Sequence, residues 1–176
     1  MSSVEVEELS LEAFRPFGNY VKLLNPDTEV IGTPPVEFYR DMAVLPISHP
    51  QSLPSFSVCR VEKRPLTIDV TEMHSFTAEG NLPLDADALI HVAPATPDGI
   101  LPLGRFRVFR IPKGTFFTVN AGVWHHAPFL YDKFARVLNL LVVLPERTYA
   151  NDCTVVKLKK NETIRIKGNL QEANAR

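Results

Sequence analysis

Cysteine is scarce in this chain: its 176 residues include only Cys59 and Cys153. A disulfide framework is therefore excluded, and a chain of this length can bury a sizeable apolar core without one. The two thiols are expected to be free, buried and inert. Long hydrophobic runs are also lacking. No window approaches the roughly 18 apolar residues that a membrane-spanning helix needs. Neither sign of charge is in excess. With 19 basic and 20 acidic residues the formal net charge is -1, which removes the usual electrostatic argument for nucleic acid or an anionic membrane. The acidic start, MSSVEVEELS, has no apolar stretch of the kind a secretory leader carries. A cytoplasmic protein is expected, acting on a small molecule, with neither nucleic acid nor membrane as partner.

Glycine is held to 8 residues while proline reaches 15. Proline breaks helix interiors and central strands, so its spread along the chain implies many short elements joined by turns. The patterning agrees. PSFSVCRVE sets Phe56, Val58 and Arg60 against Ser57, Cys59 and Val61, and LTIDVTEMHSF alternates in the same way. DALIHVAP is a short apolar strand. RFRVFRIPKGTFFTVNAG carries apolar residues on either side of a Pro-Lys-Gly turn. FARVLNLLVVLPE is a long run whose β-branched content favours a buried strand over a helix. CTVVKL and ETIRIK add two more strands with period-2 patterns. Two places allow a short helix: LEAF after Ser10, which can cap it, and EFYRDMAVLP, which reads equally well as strand. Together these predict an all-β chain with one or two short helices, a barrel or double-sheet sandwich. It is read as one domain over residues 1–176, with a polar tail from about 168.

Two segments gather residues able to hold a metal or move a proton. EMHSFTAEGNLPL, residues 72–84, presents Glu72, His74 and Glu79. Glu72 and His74 share a strand face, since i and i+2 point the same way, but Glu79 needs a turn to return to it. NAGVWHHAPFL, residues 120–130, presents the only tryptophan, Trp124, beside His125 and His126. In a regular strand only one of these histidines can face a barrel interior. A histidine and a carboxylate from one hairpin with a histidine from another suit a first-row divalent metal; the expected ligands are His74, Glu79 and His125. Glu72 reads as a surface charge, Lys113 as solvent-facing, and His49 and His91 as structural.

The spacing from His74 to Glu79, followed by Pro112-Lys113-Gly114 and a histidine strand, resembles the cupin barrel. Glu72 stands where the cupin pattern has its first histidine, and His125 and His126 come later than the usual second motif places them. A narrower resemblance runs from about Leu9 to Leu158. FRPFG, FYRDMAVLPI, PLTIDVTEMHSFT, LPLD, VWHHAPF and PERTYANDC are together similar to the ureidoglycolate lyase family. The resemblance implies a cupin-like β-barrel and a homodimer. It also implies cleavage of ureidoglycolate to glyoxylate and urea, with a divalent metal such as nickel, manganese or zinc and no organic cofactor. Such a reaction needs a base at the hydroxyl, an acid at the leaving nitrogen and a cation at the carboxylate. His74, His125 and His126 are the expected catalytic residues. Arg60, Trp124 and Arg147 are the expected substrate contacts.

Some positions depart from the family pattern. Met73 stands where relatives often carry arginine, Val119, Asn120 and Ala121 where they often carry a tyrosine and a basic residue, and Asn81 where they carry an aromatic. Two alternatives therefore stay open. One is a cupin-type lyase or isomerase for another small hydroxy, keto or sugar acid. The other is a non-catalytic cupin that binds a small ligand.

Overall fold

The computed structural model describes residues 2–24, 26–45, 53–144 and 152–168. Among them are fifteen strands and one short α-helix. The chain opens with β1 (Ser2–Glu8), α1 (Leu11–Phe14) and β2 (Gly18–Lys22), then a small hairpin of β3 (Ile31–Thr33) and β4 (Val36–Phe38). β5 (Ser55–Glu62), β6 (Thr67–Ile68), β7 (Val70–His74), β8 (Glu79–Pro83) and β9 (Ala88–Val92) follow. β10 (Arg107–Ile111), β11 (Thr115–Val119), β12 (Phe129–Leu130), β13 (Val137–Leu144), β14 (Cys153–Lys157) and β15 (Ile164–Lys167) complete it.

A six-stranded sheet in the order β12-β9-β10-β1-β15-β6 faces a five-stranded sheet in the order β2-β11-β8-β13-β5, and β14 pairs separately with β7. This is the curled double sheet of a cupin-like fold. Its interior holds Phe14, Phe17, Val61, Ile90, Phe109, Phe117 and Leu138, contributed by both sheets and by α1. A second core lies on the other face of β9 and β10, where Leu89, Val108, Phe129 and Trp124 meet Ile68, Ile164 and Ile166. β9 is thus buried on both faces, which is why ALIHV has no polar alternation and why His91 is 1% exposed.

The helix prediction over LEAF holds. The Ser10 side chain accepts a hydrogen bond from the Ala13 N–H at 3.2 Å, one of the donors that a helix start leaves unpaired. So short a helix has little stability of its own. Phe14 pins it, fully buried with its ring edge-on to Phe109 at 5.2 Å and to Phe117 at 6.3 Å. The ambiguous segment from 37 contributes only the end of β4 before its last residue, 46, leaves the described region. One element has no counterpart in the sequence reading: the acidic start is a strand, with β1 parallel to both β10 and β15. Its alternation of Val4 and Val6 with Ser3, Glu5 and Glu7 turns the valines onto the second core.

The turns set up the site. Gly114 has φ +77°, the left-handed region that glycine enters freely, and lets Pro112-Lys113-Gly114 reverse β10 into β11. Gly122, at φ +79°, does the same after β11. Its N–H donates to the His74 carbonyl at 2.7 Å, which lays the Val-Trp-His segment against β7.

Candidate metal-binding and catalytic site

His125 is placed by backbone pairing. Its N–H donates to the Glu72 carbonyl at 2.7 Å, and the Glu72 N–H donates back at 2.5 Å. The strand-like geometry is limited to isolated bridges at Trp124 and His125. Glu79 is returned to the face of His74 by a turn built on buried Asp152, whose carboxylate accepts from Phe76 N–H (2.9 Å), Thr77 N–H (3.1 Å) and the Thr77 hydroxyl (2.8 Å). Nothing in the sequence around Asp152 marks it for this role.

The result is a buried cluster. His74 Nε2 lies 3.3 Å from one Glu79 carboxylate oxygen, and His125 Nε2 lies 3.8 Å from the other. The two rings are 5.6 Å apart, centroid to centroid. The His125 Nδ1 is hydrogen-bonded to the Val123 carbonyl at 2.8 Å, which turns Nε2 toward Glu79. Ligand atoms of Glu72, His74 and His125 lie within 4.8 Å of one another. Glu72 is therefore no free surface charge: the i, i+2 rule places it beside His74, facing the cluster. It also accepts a hydrogen bond from the Cys153 thiol at 3.3 Å.

Burial alone would raise the Glu79 carboxyl, but the His125 and His74 rings and the Asn81 amide hold it well below the usual carboxylate range. Burial disfavours a charged His125, yet Glu79 and the Val123 carbonyl raise its pKa. Two carboxylates facing two buried imidazoles leave the cluster short of positive charge, to be supplied by protons or by a cation. The donor set fits a divalent metal. His74 Nε2 and His125 Nε2 are buried without a hydrogen-bond partner, and Nδ1 of His125 is held by a carbonyl, as in most metal-bound histidines.

A cavity of about 180 Å³ opens beside the cluster, lined by Glu72, Glu79, Asn81, His126, Cys59, Ile90, Ala127, Pro128, Leu140 and Val142. It is smaller than the roughly 300–1,000 Å³ usual for drug-sized ligands, so it suits a small metabolite. Of the two adjacent histidines, His126 lines this cavity, whereas His125 is not among its lining residues and is buried against Glu79. The strand pairing ends at His125, and strict alternation with it. Burial lowers the His126 pKa, so its ring is held neutral.

The remaining candidates fall elsewhere. Arg60 is exposed and ion-paired with Glu62 at 2.7 Å, since Cys59 and Val61 take the inward face of β5. Trp124 is 1% exposed in the second core, away from the cavity wall. Arg147 and His49 lie outside the described residues. His91 is structural: its Nε2 meets the Thr71 hydroxyl at 3.4 Å, and Thr71 donates its own proton to the His125 carbonyl. Both thiols are half-buried: Cys59 packs against the interior core and lines the cavity, while Cys153 donates to Glu72; both pKa values are raised, that of Cys153 to about 12 by burial and Glu72. Met73 packs on the second core near Gly99, so the arginine missing there would not have faced the cavity.

A cupin-like double sheet with a His and carboxylate cluster that could hold a metal ion, beside a small cavity, defines the class. Residues 1–166 match the family model described as ureidoglycolate lyase. The chain belongs to the ureidoglycolate lyase family. It is 29% identical over 167 residues to the ureidoglycolate lyase of Pseudomonas fluorescens, covering 93% of this chain and 96% of that one. The same enzyme from Stutzerimonas stutzeri is 27% identical, over 76% of this chain and 79% of its own. Among solved structures, Bacillus subtilis oxalate decarboxylase aligns with 61% of this chain and 24% of its own, at TM-score 0.42 and 18% identity.

Proposed function

We propose that this chain cleaves ureidoglycolate to glyoxylate and urea at the cavity beside His74, Glu79 and His125. The convergence of two buried imidazole nitrogens on Glu79, next to a small cavity, carries the reading. His74, His125, Glu79 and Glu72 would hold a divalent metal such as nickel, manganese or zinc, and no organic cofactor is called for. When bound, the metal would supply Lewis-acid polarisation of the substrate's hydroxyl oxygen.

The chain's own residues do the rest. His126, neutral and lining the cavity, is suited to take the hydroxyl proton. As that proton leaves, the O–H electrons form the aldehyde C=O, the C–N bond breaks, and its electrons pass to the urea nitrogen. Protonation of that nitrogen completes urea, and the protonated His126 is the available donor. Ile90, Leu140 and Val142 keep the cavity wall apolar and limit competing water. Urea release from racemic ureidoglycolate, with and without added metal, tests the proposal.

That apolar wall also supports a second reading, in which the same machinery serves another small hydroxy or keto acid. Faster turnover of such an acid in a substrate panel would favour it.

The enzyme is further proposed to be a single-domain cytoplasmic homodimer. β5 is an edge strand, and its outward Phe56 and Val58 are 72% and 63% exposed; a second copy would cover them. Light scattering should give twice the 19.7 kDa chain mass, and cell fractionation should place the protein with soluble cytoplasmic markers. A monomeric mass or a membrane-bound fraction would remove the corresponding proposal.

A further inference from the structure

Cleavage of a hydroxy acid needs a cation at the carboxylate; of the two arginines expected to provide it, Arg60 is exposed and paired with Glu62, and Arg147 lies outside the described residues. Three described arginines are half-buried: Arg64, Arg107 and Arg110. Arg107 is committed to Glu7 and Arg110 to Asp87, each through at least two guanidinium hydrogen bonds. Arg64 has no carboxylate within ion-pair distance among the described residues. Its guanidinium lies 4.0 Å over the Phe129 ring, and Nη2 donates to the Ala127 carbonyl at 2.7 Å and weakly to that of Pro128 at 3.4 Å.

Both acceptor residues line the cavity, as does His126 immediately before them. The charge is felt there: Arg64 acts to lower the pKa values of His126 and Cys59. Two backbone carbonyls and an aromatic face fix the plane of the guanidinium, while its Nε–H and Nη1–H groups make no bond within the described structure. Asp69 acts on this half-buried cation only from beyond ion-pair distance, so an anion in direct contact would offset the cost of its burial. A planar fork whose orientation is already set loses little further freedom when it grips a carboxylate.

We propose that Arg64 is the carboxylate anchor of this site and selects small 2-hydroxy acid anions over their neutral analogues. The identity of the physiological acid rests on the lyase reading above, but the anchor itself does not.

The test compares glycolate with glycolamide, which differ in the charged group alone. Binding of each to the purified, metal-supplied protein is measured by titration calorimetry for wild type, Arg64→Gln and Arg64→Lys. Wild type should prefer glycolate. Arg64→Gln should weaken glycolate by about 10- to 100-fold, the loss expected for a charged hydrogen bond, and leave glycolamide unchanged. Arg64→Lys, which keeps charge and stem but not the fork, should fall between them at an unchanged Tm. In turnover, KM for ureidoglycolate should rise by a similar factor while kcat stays within about threefold. Unchanged glycolate affinity in Arg64→Gln would overturn the anchor, and so would an equal loss of glycolate and glycolamide. If the protein does not cleave ureidoglycolate yet shows the Arg64-dependent glycolate preference, the anchor stands and the lyase reading falls. Turnover with an unchanged KM in Arg64→Gln would overturn the anchor and leave the lyase reading standing.

Discussion

His125→Ala should yield a folded protein that no longer retains a stoichiometric divalent metal and turns over about 10²–10⁴ times more slowly than wild type. The fold should survive because the backbone of this residue does the structural work. The paired hydrogen bonds between residues 72 and 125, and those between Ala93 and Trp124, do not involve the side chain. What alanine removes is the imidazole whose Nε2 faces Glu79. Losing even an outer hydrogen-bond partner of a metal ligand costs about 10–100-fold in affinity, so losing a ligand should cost no less. Dialysis followed by metal analysis checks the first part, and steady-state kinetics the second. Wild-type metal content in His125→Ala would show that the ligand set is misassigned.

Phe14→Ala should be the most destabilising single change in α1. The ring is fully buried and meets Phe17, Tyr20, Phe109 and Phe117, so it ties the four-residue helix to both sheets. Truncating a buried phenylalanine costs about 3–5 kcal/mol, a large part of the roughly 5–15 kcal/mol that holds a domain together. At about 2–4 °C per kcal/mol for a chain of this size, Tm should fall by about 10 °C. Thermal unfolding followed by circular dichroism measures this, and a shift of only a degree or two would mean that α1 is not part of the cooperative core.

Much of the architecture was legible because it follows from local rules. The alternation in β5, the run forming β13, the Ser10 cap and the Gly114 turn each depend on neighbouring residues alone. β1 was not legible, since its charged alternation looks like a solvated start and its partners, β10 and β15, lie about a hundred residues or more away. At the site, His74, Glu79 and His125 were found by residue type and spacing. Glu72 was undervalued even though the i, i+2 rule already placed it beside His74. His126 was named from the same Trp-His-His run, and it lines the cavity. Arg64 and Asp152 carried no local signal at all. One is defined by carbonyls some sixty residues away, the other by a turn more than seventy residues distant.

The most direct measurement is urea release from racemic ureidoglycolate by the purified enzyme supplied with nickel, manganese or zinc. The expected result is release well above the spontaneous rate, consuming one enantiomer and lost in the His125→Ala, His126→Ala double variant. Release at the spontaneous rate with every metal, from protein shown to be folded, would contradict the assignment; the family's fold would then serve another substrate here.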